Sequence, residues 1–207
     1  MKQVTAPVEK YCQSKTVKVI TRATVQYRDT LKESDIKEAI SRKYPEAVVL
    51  IVSVDERGRP NAMPAGWSMF TSGDPPMLAV SIHPDRFSHE LISRTSEFVV
   101  TFPGEDQASL VELCGSCTGA EVDKFDCFSI PTSPAIEVKP PLIEGSVACL
   151  ECIVEVTCRT GDHTIFAGRI VRGHVSEKPT RRLYNLGGEG VDRFRPLKPR
   201  EITGSSK

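Results

Sequence analysis

The chain has 207 residues and a mass of 22.8 kDa, enough for one domain with a substantial buried core. Lysine plus arginine and aspartate plus glutamate both number 27, which leaves no basis for a general electrostatic hold on nucleic acid or an anionic membrane. Seven cysteines, an odd number, point to thiols kept in a reducing cytoplasm, and the longest strongly apolar run, Ala47 to Val52, is far too short to cross a bilayer.

The first residues contain Lys, Glu and Pro where a secretory signal needs an apolar segment, so a cytoplasmic location is expected. The first 30 residues are polar and read as an edge strand or a loose arm. Thr30-Leu-Lys-Glu33 has the form of a capping box and predicts a short helix from Lys32 to Lys43, ended by Tyr44-Pro45. The β-branched run Ala47 to Val54 predicts a buried strand. Asp55 to Gly58 turns the chain into a second strand, Pro60 to Ser68, forming a hairpin. After the turn cluster Ser72 to Pro76, Met77 to Ile82 reads as a strand, and Ser88 as the cap of a helix from His89 to Thr95.

Glu97 to Phe102 is a further strand, Gln107 to Leu113 a short helix, and Cys114 to Gly119 a glycine- and hydroxyl-rich loop. Leu150 to Arg159 alternates with period two, with Leu150, Cys152, Val154, Val156 and Cys158 on one face. Thr160-Gly-Asp-His163 turns it into a second long strand, Thr164 to Val175. Hairpin-linked strands with few, short helices predict a mainly β, antiparallel barrel rather than a parallel α/β sheet. Three parts are expected: an N-terminal arm and helix (1–44), the core (45–177), and a C-terminal extension (178–207) on the same domain or a partner subunit, with a disordered tail from Lys198.

The segment Asn61 to Ile92 concentrates the chemistry. Met63, Ala65 and Trp67 share one strand face, with Pro64, Gly66 and Ser68 on the other. Small residues beside Trp67 let a planar ring approach the backbone; the same pattern also serves a core tryptophan. Arg86-Phe-Ser88 offers a forked cation, a hydroxyl and the free N–H groups of a helix start, which suit a phosphate monoester, or form an ordinary cap with a solvated arginine.

In order and spacing the chain resembles the flavin reductase-like family of FMN-binding split β-barrels. The resemblance rests on Gly58, Asn61, Trp67, Ser72, Pro75, Pro76, Val80, Ser81, Arg86 and Ser88, then on Phe98 to Thr101, Gly115, Thr118, Gly119 and Asp123-Lys124-Phe125, and on Gly161-Asp162-His163. It covers about Tyr44 to Glu177. It implies a Greek-key split barrel, FMN beside a homodimer interface, and NADH or NADPH as electron donor. Met63, Pro64, Ala65, Gly66, Trp67 and Ser68, with Ser81 and Ile82, would border the ring system and ribityl chain. Arg86, Ser88, Thr118 and Lys124 would take the phosphate, with Cys114, Gly115 and Gly119 giving close backbone approach. His163 would orient the nicotinamide or second substrate rather than act as an obligatory acid or base. The activity implied is NAD(P)H-dependent reduction of a flavin or another electron acceptor; a flavoredoxin-type carrier served by a redox protein, or a non-catalytic flavin binder, are the alternatives.

Cys114-x-x-Cys117 and Cys149-x-x-Cys152 invite a zinc reading, but strand positions three apart point to opposite faces, so no metal is expected. Cys152 and Cys158 read as small core residues, and Cys114 with Cys117 as packing residues or a redox pair in the flavin loop.

Overall fold

Residues 31–178 and 180–197 are described by the computed structural model. The described residues divide into two units, one ending at Arg42 and one beginning at Lys43. The described part of the first unit holds one helix, α1 (Ile36–Ser41). It starts later than the sequence predicts because Asp35 caps it: the Asp35 carboxylate accepts the Lys37 N–H at 2.8 Å. The expected N-terminal strand or arm, the Thr30 half of the capping box and the tail from Lys198 lie outside the described residues.

In the second unit the strands run in order as β1 (Glu46–Ala47), β2 (Val49–Val54), β3 (Pro60–Ala65), β4 (Ser68–Gly73) and β5 (Pro76–Ile82). Helix α2 (Phe87–Thr95) and strand β6 (Glu97–Phe102) follow. The chain continues through α3 (Ala108–Ser116), α4 (Lys124–Cys127), β7 (Thr132–Ser133) and β8 (Leu142–Ile143). The long hairpin β9 (Ala148–Thr160) and β10 (His163–Val175) precedes β11 (Leu183–Asn185) and β12 (Phe194–Pro196).

Seven strands form one sheet in the order β3-β2-β6-β9-β10-β5-β4, and every pairing in it is antiparallel. Its two outermost strands, β3 and β4, are consecutive in the chain and separated by Gly66 and Trp67 alone. A two-residue link reaches between opposite edges only if the sheet curls strongly on itself, so topology alone imposes a rolled, mainly β body. The predicted single strand Pro60 to Ser68 is therefore two strands. Ser68 opens β4, the far edge, and pairs with Val80 of β5. Trp67, at the crossing, leaves the Met63–Ala65 face and is 52% exposed.

Alternate residues of each strand serve two apolar clusters. Val49, Ile51, Val80, Ile82, Phe98, Cys152 and Phe166 fill one. Leu50, Val52, Val99 and Cys149 pack on the other side with Val111, Cys114, Leu183 and Phe194. Strand β2 feeds both and is buried throughout, as its unbroken β-branched run predicts. Through Leu183 and Phe194 the C-terminal extension packs on the same unit as the core.

The long hairpin departs from the predicted alternation. Between Ala167 and Gly168 the register jumps from Val156 to Val154, leaving Glu155 as a bulge in β9; a second shift follows Ile170. Beyond the bulge the hairpin outruns the core, so Cys152 is fully buried but Val156 is 53% exposed and Cys158 is exposed, not a core residue. On the other face Glu151 is completely buried. Its carboxylate accepts the N–H groups of Ile136, Glu137 and Val138 at 2.6–3.1 Å and meets His174 Nε2 at 2.6 Å. Burial alone would push its pKa up, but these hydrogen bonds outweigh it and hold the carboxyl below its usual range.

Candidate functional site

One cleft of about 280 Å³ gathers most of the ligand wall expected from the sequence. Met63, Pro64 and Ala65 come from the end of β3, Gly66 and Trp67 from the crossing, Ser81 and Ile82 from the end of β5, Arg86 from the start of α2, and His163 from the start of β10. The crossing is tied down at Ser81, whose N–H donates to the Trp67 carbonyl at 2.9 Å. Strand order explains the convergence, since β10 lies next to β5 and Thr164 pairs with Ile82. Residues some 80 positions apart in the chain thus meet at one rim.

Two further side chains line the cleft that the sequence reading passed over, Glu46 and His83. His83 had a readable signal, for it stands two positions beyond Ser81 on the same strand end. Glu46 had none, because its neighbour Asn185 is 139 residues away.

Each imidazole is held through its Nδ1. His163 Nδ1 lies 2.7 Å from Asp162 Oδ1, and a carboxylate only accepts, so Nδ1 donates and Nε2 is left for the cleft. That hydrogen bond also lowers the Asp162 pKa. His83 Nδ1 accepts the Asp85 N–H at 3.2 Å, which leaves the proton of the neutral ring on Nε2. The two rings meet edge to face at 5.2 Å, and His163 lies 4.7 Å from the Trp67 ring. The cleft therefore offers an aromatic plane, apolar strand ends, two oriented imidazoles and a guanidinium. Such a set suits a flat heteroaromatic ring carrying an anionic group.

Residues 41–191 match the flavin reductase like domain. The chain belongs to that family. It is 36% identical over 138 residues to an uncharacterized protein of Archaeoglobus fulgidus, covering 67% of this chain and 77% of that one. It is 28% identical over 139 residues to an NADH-dependent FAD reductase of Streptomyces globisporus, covering 66% and 74%. Among solved structures, an FMN-binding protein from Thermus thermophilus with bound p-hydroxybenzaldehyde superposes with a TM-score of 0.65 at 29% identity, covering 79% of this chain and 92% of that one.

The remaining residues expected at the site in this flavin reductase-like chain lie elsewhere. Ser68 sits in β4, outside the cleft lining. Ser88 does not cap α2: the helix starts at Phe87, Arg86 is the capping residue through its extended backbone (φ −84°, ψ 130°), and Ser88 is buried. Its hydroxyl accepts from Asn61 Nδ2 at 2.8 Å. Cys114 and Gly115 belong to α3, which runs through Ser116 in place of the expected loop. Gly115 lies so close to Pro64 that a Cβ there would come within 3.0 Å of its ring. Gly119 is pressed against the Asn61 side chain, and Thr118 is exposed with its hydroxyl turned to the Ala120 N–H at 3.3 Å.

Lys124 is buried, and its ammonium donates to the carbonyls of Ala62 at 2.9 Å and Cys114 at 2.6 Å. Burial lowers its pKa, against the opposing pull of the Cys114 and Cys117 thiols. It fastens α3 and α4 to the back of β3 and does not line the cleft. Cys114 is buried with its thiol pushed up to about 11, and Cys152 to about 12, again by burial, so both stay protonated at neutral pH and neither is a reactive thiolate. Cys149 and Cys152 pack into opposite clusters. No helix among the described residues is long and apolar enough to cross a membrane.

Proposed function

We propose that the protein binds FMN in this cleft and passes hydride from NADH or NADPH through it to a flavin or another small electron acceptor. The convergence of Trp67, the ends of β3 and β5, Arg86 and His163 on one cleft carries the reading. The flavin supplies the hydride chemistry when bound; the protein's part is to position rings and exclude water. Trp67 forms the ring wall, Ser81 and the strand-end backbone border the ring edge, and Arg86 faces the phosphate. His163, fixed by Asp162, holds the nicotinamide or acceptor, and His83 presents Nε2–H beside it.

Purified protein loaded with FMN and freed of unbound flavin should stay yellow and, without oxygen, bleach within seconds of adding NADH or NADPH. Bleaching only by a reduced redox protein would replace the reductase with an electron carrier. A colourless protein that neither FMN nor FAD stabilises against heat would sink the flavin reading altogether.

A homodimer belongs to the same proposal. The cleft is small beside ligand pockets of roughly 300–1,000 Å³ and is open on one side. Next to it runs an apolar row, Met69, Ala79, Ala167 and Val156, whose residues are direct cross-strand partners and so share a face. Met69 is 61% exposed and Val156 53%. The adjacent row, Cys158, Ile165 and Ser81, ends on the cleft rim. A second copy seated on this face would close the open side. Sedimentation at micromolar concentration should give twice the 22.8 kDa chain mass, and Val156→Glu should yield a monomer with weakened flavin binding. A monomeric parent protein at those concentrations would refute the dimer.

A further inference from the structure

Glu46 is fixed from three sides at the edge of the cleft. Strand β1 pairs with β11 so that Glu46 stands opposite Asn185, whose Nδ2 donates to Glu46 Oε1 at 3.3 Å. Lys43 Nζ lies 2.7 Å from Oε2. The third side is Gly66. A Cβ on that residue would fall 2.8–3.0 Å from the Glu46 carboxyl atoms, so only glycine lets the carboxylate lie against the crossing beside Trp67. The Glu46 side chain is 17% exposed, and Lys43 Nζ stands 5.7 Å from the centre of the Trp67 ring.

Among the residues lining the cleft, Glu46 is the one carboxylate. Ser81, His83 and Arg86 all bring donors to the same space. Each carboxylate oxygen has two lone pairs, and the contacts to Asn185 and Lys43 engage one on each. The rest must be met by water or by a ligand. A ring that displaces the water without bringing an N–H leaves a desolvated charge unsatisfied, which is heavily penalised. Lys43 lies just outside the cleft lining, with its ammonium on Glu46 Oε2 and beside the Trp67 ring, so a donor stands next to the acceptor at the rim. The complement of this pair is an N–H flanked by a carbonyl.

We propose that Glu46 and Lys43 form a specificity element that reads the imide edge of the flavin ring, Glu46 accepting from the ring's N3–H and Lys43 donating to an adjacent carbonyl. This rests on the flavin reading of the cleft. A nicotinamide carboxamide has the same N–H and C=O chemistry, and the ring nitrogen separates the two sources: methylation at N3 removes the flavin's donor and leaves the nicotinamide untouched.

The test is equilibrium binding of FMN and of 3-methyl-FMN to the flavin-free protein, followed by flavin fluorescence without any electron donor. The wild-type chain should prefer FMN by tenfold or more, in line with sites that lose an expected hydrogen bond. Glu46→Met, which removes the acceptor, should bind the two flavins alike, while Glu46→Gln, which keeps a carbonyl, should retain part of the preference. Equal binding of the two flavins by wild type overturns the proposal, as does a tenfold preference surviving in Glu46→Met with unchanged thermal stability. A wild-type protein that binds neither flavin removes the flavin reading instead.

Discussion

Lys124→Met should unfold at markedly lower denaturant concentration, losing about 2–4 kcal/mol, while its ratio of FMN to riboflavin affinity stays that of the parent chain. The residue sits in an Asp-Lys-Phe segment at the start of α4, where a cation is readily taken for a phosphate ligand. Its geometry says otherwise. The ammonium reaches two main-chain carbonyls, those of Ala62 in β3 and Cys114 in α3, and the side chain is 3% exposed. Methionine fills similar space but donates nothing, so both buried carbonyls lose a charge-assisted partner. The loss is moderated because the ammonium no longer has to be desolvated.

The same desolvation has a pH signature. Burial depresses the Lys124 pKa below 10.5, so the unfolded chain holds that proton more tightly than the folded one. Stability contributed by this residue therefore rises as pH increases through the window ending near 10.5, and the methionine variant should lack that alkaline rise. Chemical denaturation between pH 8 and 10.5, with FMN and riboflavin titrations at pH 7.5, checks both halves. Full stability with a selective loss of FMN would return Lys124 to the phosphate site.

Why Lys124 misleads from sequence also explains what was legible and what was not. Strands β2, β5, β6, β9 and β10 are written in β-branched runs and period-two alternation, because both are local consequences of burying one or two strand faces. The hairpin turn at Gly161 and the end of β5 before Pro84 are likewise local. Convergence of Trp67, Ser81, Arg86 and His163 follows once strand order is known; the family resemblance pointed to those residues without giving that order.

Features set by distant partners were not written locally. Nothing in Asn61 to Ser68 marks Gly66 as the place where the chain leaves one sheet edge for the other; that is set by the pairing of β3 with β2 and of β4 with β5. Cys114 to Ser116 looks like loop because of Gly115, yet the absent side chain is what lets α3 lie on Pro64. Ser88 has the residue type of a cap, but Asn61 takes its hydroxyl and Arg86 caps through backbone geometry. In the long hairpin the alternation is correct up to Val154 and fails at the Glu155 bulge, which no residue type announces.

Arg86 is the cation that remains for the phosphate. It lines the cleft, its side chain is exposed, and the neighbouring acid Glu90 is paired with Arg94. Its guanidinium is thus unspent by any ion pair among the described residues, and it projects from the first turn of α2, where main-chain N–H groups and the helix dipole favour an anion. Arg86→Ala should weaken FMN by roughly tenfold to a hundredfold, as expected for losing hydrogen bonds to a charged group. Riboflavin has the same ring and ribityl chain but no phosphate, so its affinity should change by less than about twofold. Raising the salt concentration should narrow the FMN difference, because an exposed pair is screened. Stability should hardly move, in contrast to Lys124→Met. Isothermal titrations of both flavins into parent and variant give the answer. Equal losses for FMN and riboflavin would mean that Arg86 shapes the ring wall, and the phosphate would then have to be sought across the open side of the cleft, on the second copy of the chain.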